Sequence, residues 1–211
     1  MKLLSRVSTL GFMFLLTLTS GCITWNAEIE DMSNVYSKSA IAGAPKIIIS
    51  DLSDKRSDTK LVGRISALNL ATKTPVNIII TNRFASKLQE EGFNIQKVEI
   101  ANSEDKAEIV EALKRNSGKV LFTGRLDHFF IESSDAILET AKGRASFRID
   151  ILDNSGKSLF YRTYTARAEK HIGLGGGPGS EELIKTTIQA SVNELFNDAE
   201  FQRLLSQLKD R

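Results

Sequence analysis

Asp54, Arg56 and Asp58 alternate within a polar stretch, and carboxylates at that spacing can hold a hard cation or position an arginine for a partner. A calcium loop would need a further Asp or Asn, a glycine and a distal glutamate in register, and the sequence lacks them. The plainer alternative is a hydrated turn whose side chains hydrogen-bond locally. Gly173 to Gly179, with Gly175, Gly176 and Gly177 at its centre, precedes a helical pattern and can turn backbone N–H groups toward an anion. No Gly-Lys-Ser/Thr follows it, and Pro178 removes a donor, so a flexible connector or a mobile partner-binding loop fits better than a phosphate cradle. His128 and His171 are the only histidines, which excludes a three-histidine zinc site. Strand alternation sets Asp127 and His128 on opposite faces. Arg144, Arg148, Arg162 and Arg167 would form either a basic stripe or an ordinary salt-bridged sheet surface. Phe129, Phe130, Phe160, Tyr161 and Tyr164 are expected to pack in the core and across strands. No serine or cysteine sits in a nucleophile elbow. The expectation is a protein that is not an enzyme and uses no metal or cofactor.

Cys22 is the single cysteine, so no intramolecular disulfide can form. Lys2 and Arg6 begin the chain with positive charge, and Leu10 to Leu18 follows without any. That is the layout of a signal peptide at residues 1–21, and the run is too short to span a bilayer, which takes roughly 20 apolar residues. Thr19-Ser20-Gly21-Cys22 resembles the bacterial lipobox, with Thr19 where a leucine-like residue is usual. The resemblance implies cleavage before Cys22 and acyl chains on it, several of which make attachment stable. Ile23 stands where an aspartate would favour the inner membrane, so the expected location is the outer membrane, with the domain facing the periplasm.

Lys2 and Arg6 account for the whole excess of 28 basic over 26 acidic residues. The chain without its signal is neutral, and the pI of 8.6 overstates its basicity; nothing favours a nucleic-acid partner. Removing the signal leaves about 190 residues, enough for one core. Residues 22–44 lack periodicity and suit a lipidated tether, in which Trp25 rests either at lipid headgroups or on the domain. Residues 45–211 are expected to form one domain.

Lys46 to Ser50 reads as a buried strand and Asp51 to Ala71 as polar and irregular. A helix follows with Thr74 as cap, Pro75 in its first turn, Val76, Ile80, Phe84 and Leu88 on one stripe, and Gly92 at its end. Phe93 to Ile100 is a second strand. Ser103 to Asn116 is a second helix with Ala107, Val110 and Leu113 inward. Lys119 to Glu132, Thr140 to Asp153 and Leu159 to Lys170 then form an antiparallel meander. Ser180 can cap a last helix that buries Ile184, Ile188, Val192, Leu195 and Phe196, with a further helical stretch carrying Phe201, Leu204, Leu205 and Leu208. The fold class is α+β, a mixed and mainly antiparallel sheet packed by helices in the order β-α-β-α-β-β-β-α.

That order, with the lipobox, Asp54-Lys-Arg56-Ser-Asp58, Leu88-Gln-Glu-Glu-Gly92-Phe93, Gly124-Arg-Leu-Asp127 and Leu195-Phe-Asn-Asp198, resembles the YajG-like lipoprotein family. Related layouts occur in auxiliary lipoproteins of transport systems and in lipoprotein activators of cell-wall synthases. The resemblance implies a membrane-anchored envelope lipoprotein with no established reaction. The expected role is a non-enzymatic binding or accessory module for an envelope protein partner, with Asp54, Arg56, Asp58 and Gly175 to Gly177 as contacts. The alternative is a periplasmic carrier of a lipid or other apolar ligand.

Overall fold

The computed structural model describes residues 24–29, 41–65, 68–100, 105–133, 139–172 and 177–210; Cys22, Gly175 and Gly176 lie outside them. Among the described residues nine strands and four helices follow one another as β1 (Thr24–Ala27), β2 (Lys46–Ser50), β3 (Ser53–Asp54), β4 (Leu61–Ile65), β5 (Leu68–Thr72), α1 (Val76–Glu90), β6 (Asn94–Val98), α2 (Lys106–Arg115), β7 (Val120–Ser133), β8 (Glu139–Asp153), β9 (Ser158–Ile172), α3 (Gly177–Phe196) and α4 (Ala199–Lys209). All the strands join one sheet, so the α+β class holds.

β7 is the spine. β2, β3 and β4 run end to end along one side of it, each parallel, opposite Val120–Phe122, Arg125–Leu126 and Ile131–Ser133. β8 pairs antiparallel along the other side, and β9 pairs antiparallel with β8. β6 and β1 extend the sheet outward, parallel to β2 and β5. The expected antiparallel meander is therefore present as β7–β9, but most of the described pairings elsewhere are parallel. The stretch 51–71, read as irregular, holds β3, β4 and β5. Its strands are only two to five residues long, too short for alternation to show. β1 lies within the stretch expected to be tether, and Ala27 is fully buried.

The sheet packs α1, α3 and α4 on one face. Val76, Ile80, Phe84 and Leu88 of α1 and Ile184, Ile188, Val192 and Leu195 of α3 are buried there. Phe84 lies 5.7 Å from Phe122 and 5.6 Å from Phe147, ring centre to ring centre, and Phe201 of α4 lies 5.6 Å from Phe160. Aromatic pairs at such spacings add to the gain from area burial. On the other face α2 covers only the corner where Ile48, Leu121 and Leu152 meet Ile109 and Leu113. This explains why β2 is apolar on both sides. In α2 the inward residues are Ile109, Ala112 and Leu113, whereas Ala107 is exposed and Val110 half-buried. The outer face of β8 and β9 beyond this corner carries the polar residues of the alternation.

Two helix starts differ from expectation. Pro75, not Thr74, occupies the position before α1, and no side chain caps it. α3 begins at Gly177, ahead of Ser180, which is buried in the first turn. Gly92 closes α1 with φ of +93°, a conformation that favours glycine. Among the described residues no helix is long and apolar enough to cross a membrane.

Candidate functional site

Residues 55–60 fill the gap between β3 and β4, halfway along β7, and the chain is fixed on both approaches to them. Leu52 is clamped to the first turns of α1: its N–H donates to Thr81 Oγ1 at 3.0 Å and its carbonyl accepts from Asn77 Nδ2 at 2.7 Å. The Ser50 hydroxyl donates to Thr123 Oγ1 at 2.8 Å in the interior. Past β3, the Lys55 N–H donates to the Leu126 carbonyl at 2.9 Å. These bonds satisfy buried polar groups and set the angle at which the loop leaves the sheet.

Arg56 folds back into the centre of the loop. Its Nε and Nη2 donate to Asp54 Oδ1 and Oδ2 at 2.9 and 2.6 Å, a bidentate pair. Nη1 donates to the Leu61 carbonyl at 3.1 Å and Nη2 also donates to the Thr59 carbonyl at 2.8 Å. The two side chains are only 7% and 8% exposed, so water screens this pair far less than a surface pair. The carboxylate of Asp58 turns into its own turn and accepts from the Lys60 and Leu61 N–H groups at 3.0 and 3.1 Å. Those bonds, Leu61 first, hold the Asp58 carboxyl below its usual range. Asp54 and Arg56 are thus spent on fixing the loop, while Lys55, Ser57 and Asp58 are exposed on it.

Opposite the loop, β7 carries a bulge. Leu126 faces Phe147 and His128 faces Ser146, which leaves Asp127 as the extra residue. Expected on opposite faces, Asp127 and His128 instead line one recess with Lys55, Ser57, Asp58 and Phe130, about 260 Å³ in volume. Asp127 Oδ1 lies 2.8 Å from Arg125 Nε. Burial, then the nearby Arg144 and Arg56, hold His128 below its ordinary pKa, with Glu132 opposing. The neutral imidazole can then accept one hydrogen bond and donate another near pH 7. The bulge carries a signal in the sequence: inward apolar residues fall at 122, 124 and 126, then 129 and 131, and the interval of three marks the extra residue.

The other singled-out residues are dispersed. His171 is exposed on β9. Arg144 faces Arg167 across the strands, and Arg148 lies 5.2 Å from the centre of the exposed Tyr161 ring, so the basic stripe exists as an open sheet surface. Arg162 belongs elsewhere: it pairs with Asp198 and Glu200 at the start of α4. Phe129, Phe160 and Tyr164 are buried as expected, whereas Tyr161 is 59% exposed and Phe130 is half-buried. Gly177 is the first residue of α3. Among the described residues no group of three or more His, Cys, Asp or Glu is placed to hold a metal. At one end of the sheet a second recess, about 320 Å³, has Ile47, Phe93, Val120 and Leu208 in its wall and Lys119 and Lys209 among its polar residues.

No protein-family model and no curated protein matches the chain. Among solved structures the fold is similar to the protein XCC0632 from Xanthomonas campestris, of family DUF330. The TM-score is 0.52 and the identity 10%, over 89% of this chain and 98% of that one. Weaker likenesses are to the PelC dodecamer from Paraburkholderia phytofirmans, with a TM-score of 0.44 and 11% identity over 75% of this chain and 93% of that one, and to lipoprotein GNA1162 from Neisseria meningitidis, with a TM-score of 0.41 and 12% identity over 73% and 99%. The likeness to XCC0632 extends to the architecture and transfers no residue's role.

Proposed function

We propose that this chain is a lipoprotein anchored through acylated Cys22 to the outer membrane, facing the periplasm, and that its domain is a non-enzymatic binding or accessory module for an envelope protein partner. The lipobox at Thr19 to Cys22 and the resemblance to YajG-like lipoproteins support the anchor. One observation carries the binding role: the loop at 54–61 is held rigid by an internal buried ion pair and presents Lys55, Ser57 and Asp58 beside His128. A loop ordered before contact loses little conformational entropy on binding. Gly175 and Gly176 remain candidate contacts of the same module.

Photo-crosslinking from position 58 of the full chain in intact cells tests the reading, and a discrete protein adduct that disappears on Lys55→Glu is the expected result. Adducts to lipid alone, or none, would overturn it.

The carrier reading draws on the end recess, whose apolar wall and lysines suit an apolar tail with an anionic head. At about 320 Å³ it lies near the lower end of small-ligand pockets, roughly 300–1,000 Å³. Native mass spectrometry of the detergent-purified protein decides it. A bound amphiphile lost on Phe93→Trp supports carriage, and repeated ligand-free spectra exclude it.

A further inference from the structure

Thr24, the first residue of β1, lies two residues after Cys22. Two residues of chain span at most roughly 7 Å, so an anchor on Cys22 leaves the sheet almost no slack. β1 is also not loosely attached. It pairs with β5 from Thr24 opposite Asn69 to Ala27 opposite Thr72, it is an edge strand, and Ile29 just beyond it packs against the main core.

The pairing register shows which part of the domain this brings to the bilayer. Thr24 shares a cross-strand row with Asn69, Arg64, Glu132, Lys142 and Glu169. Ile65, Leu68, Ser133, Glu139 and Ile172, where strands begin or end, lie at the same pole. Trp25 is here too. It sits on the same side of β1 as buried Ala27, yet it is 40% exposed. A large amphipathic ring left half uncovered at this level has the character of an interfacial residue. Arg64, exposed in the row of Thr24 and held by Asn69 Oδ1 at 3.0 Å, supplies a cation at the same level.

We infer that the domain is seated upright on the bilayer, with the β1 pole against the lipid headgroups and Trp25 in the interface. The Asp153–Lys157 turn points away from the membrane. This rests on the reading of Cys22 as the anchor and adds an orientation to it. The turn stands eleven residues along β8 from the row of Thr24, roughly 35 Å.

Trp25 is the only tryptophan, so its fluorescence reports this position without labelling. The full acylated protein is reconstituted into phosphatidylethanolamine–phosphatidylglycerol vesicles with and without brominated acyl chains. Flotation and the mass of the amino-terminal peptide are measured on the same sample. Expected are a blue-shifted emission, protection from acrylamide and strong quenching by brominated lipid. In the double variant Trp25→Phe/Lys157→Trp quenching falls several-fold. Acylated protein that floats but shows Trp25 open to acrylamide and untouched by bromolipid overturns the orientation while leaving the anchor intact. A chain that carries no acyl group and fails to float overturns both.

Discussion

Removing the Arg56 guanidinium while leaving Asp54 in place tests whether the loop is a built structure or a hydrated turn. Breaking a buried ion pair by deleting one partner costs about 3–5 kcal/mol, because the remaining charge is stranded. The pair sits under a surface loop and the freed carbonyls of Thr59 and Leu61 can take up water, so the lower end applies, about 3 kcal/mol for Arg56→Ala. Asp54→Ala strands the guanidinium and costs a similar amount. The double variant strands neither charge. It loses only the loop's internal bonds, and its cost stays near that of one single variant rather than their sum. The interaction energy of the cycle is then about 3 kcal/mol. Arg56→Lys keeps the charge but not the fork that reaches both oxygens of Asp54 and two carbonyls, and is expected to lose about 2 kcal/mol. Equilibrium urea unfolding measures all four, with an unchanged slope showing that the same surface is exposed each time. Single variants that each cost under about 1 kcal/mol and add linearly would mean a solvated pair, and the argument for a pre-ordered loop would fail.

Asp198 offers a pH test. Burial raises its pKa, but donation from the Phe201 N–H, the Tyr164 hydroxyl, Arg162 and the Glu200 N–H outweighs burial and leaves the carboxyl below its ordinary value of 3.8. A folded pKa below the unfolded one gives stability that is complete above the unfolded value and lost as pH falls through the folded one. Asp198→Asn keeps a good cap and removes the charge. With Arg162 partly exposed and screened, it is expected to cost about 1–2 kcal/mol at pH 7, with the gap to the natural protein closing below pH 3.8 in urea titrations. Gly124→Ala would place a methyl 2.0 Å from the Arg148 carbonyl oxygen. That oxygen is backbone and cannot yield, so about 3 kcal/mol is expected to be lost, seen calorimetrically as a melting point lower by roughly 6–12 °C.

The elements legible in the sequence are those whose own periodicity is long enough to show. β8 alternates over fifteen residues, and α1 repeats its apolar stripe over four turns. β4 and β5 are strands because β7 and each other supply their partners, and nothing inside five residues distinguishes Leu61–Ile65 from a loop. Glycine misled for a related reason. Gly177 to Gly179 has the composition of a flexible connector, yet Pro178 fits a helix's first turn, and a Cβ on Gly179 would lie 2.6 Å from Ile172 Cγ2. Glycine there serves close packing of α3 on β9. The candidate site was legible as a polar cluster but not as a lock. Asp54 and Arg56 are buried only because the carbonyls of Thr59 and Leu61 converge on the guanidinium, and sequence spacing does not encode that convergence.

The spine connects the loop to the β1 pole. β2, β3 and β4 follow one another along a single side of β7, so the break at 55–60 is a fixed station on a ladder whose end lies at β1. The row of His128 passes through Ser146 of β8, four residues from Lys142 in the row of Thr24, a rise of roughly 14 Å. With the β1 pole on the headgroups, the recess stands beside the membrane, well below the distal turn. A partner reaching Lys55, Asp58 and His128 must therefore approach along the bilayer, which selects a component that is itself embedded or anchored there over one diffusing in the periplasm. Inserting rigid helical spacers between Cys22 and Thr24 would lift the recess by about 1.5 Å per residue. Crosslinking at position 58 should fade over the first ten or so inserted residues, and adducts that persist undiminished would mean the partner is free to follow the domain away from the membrane.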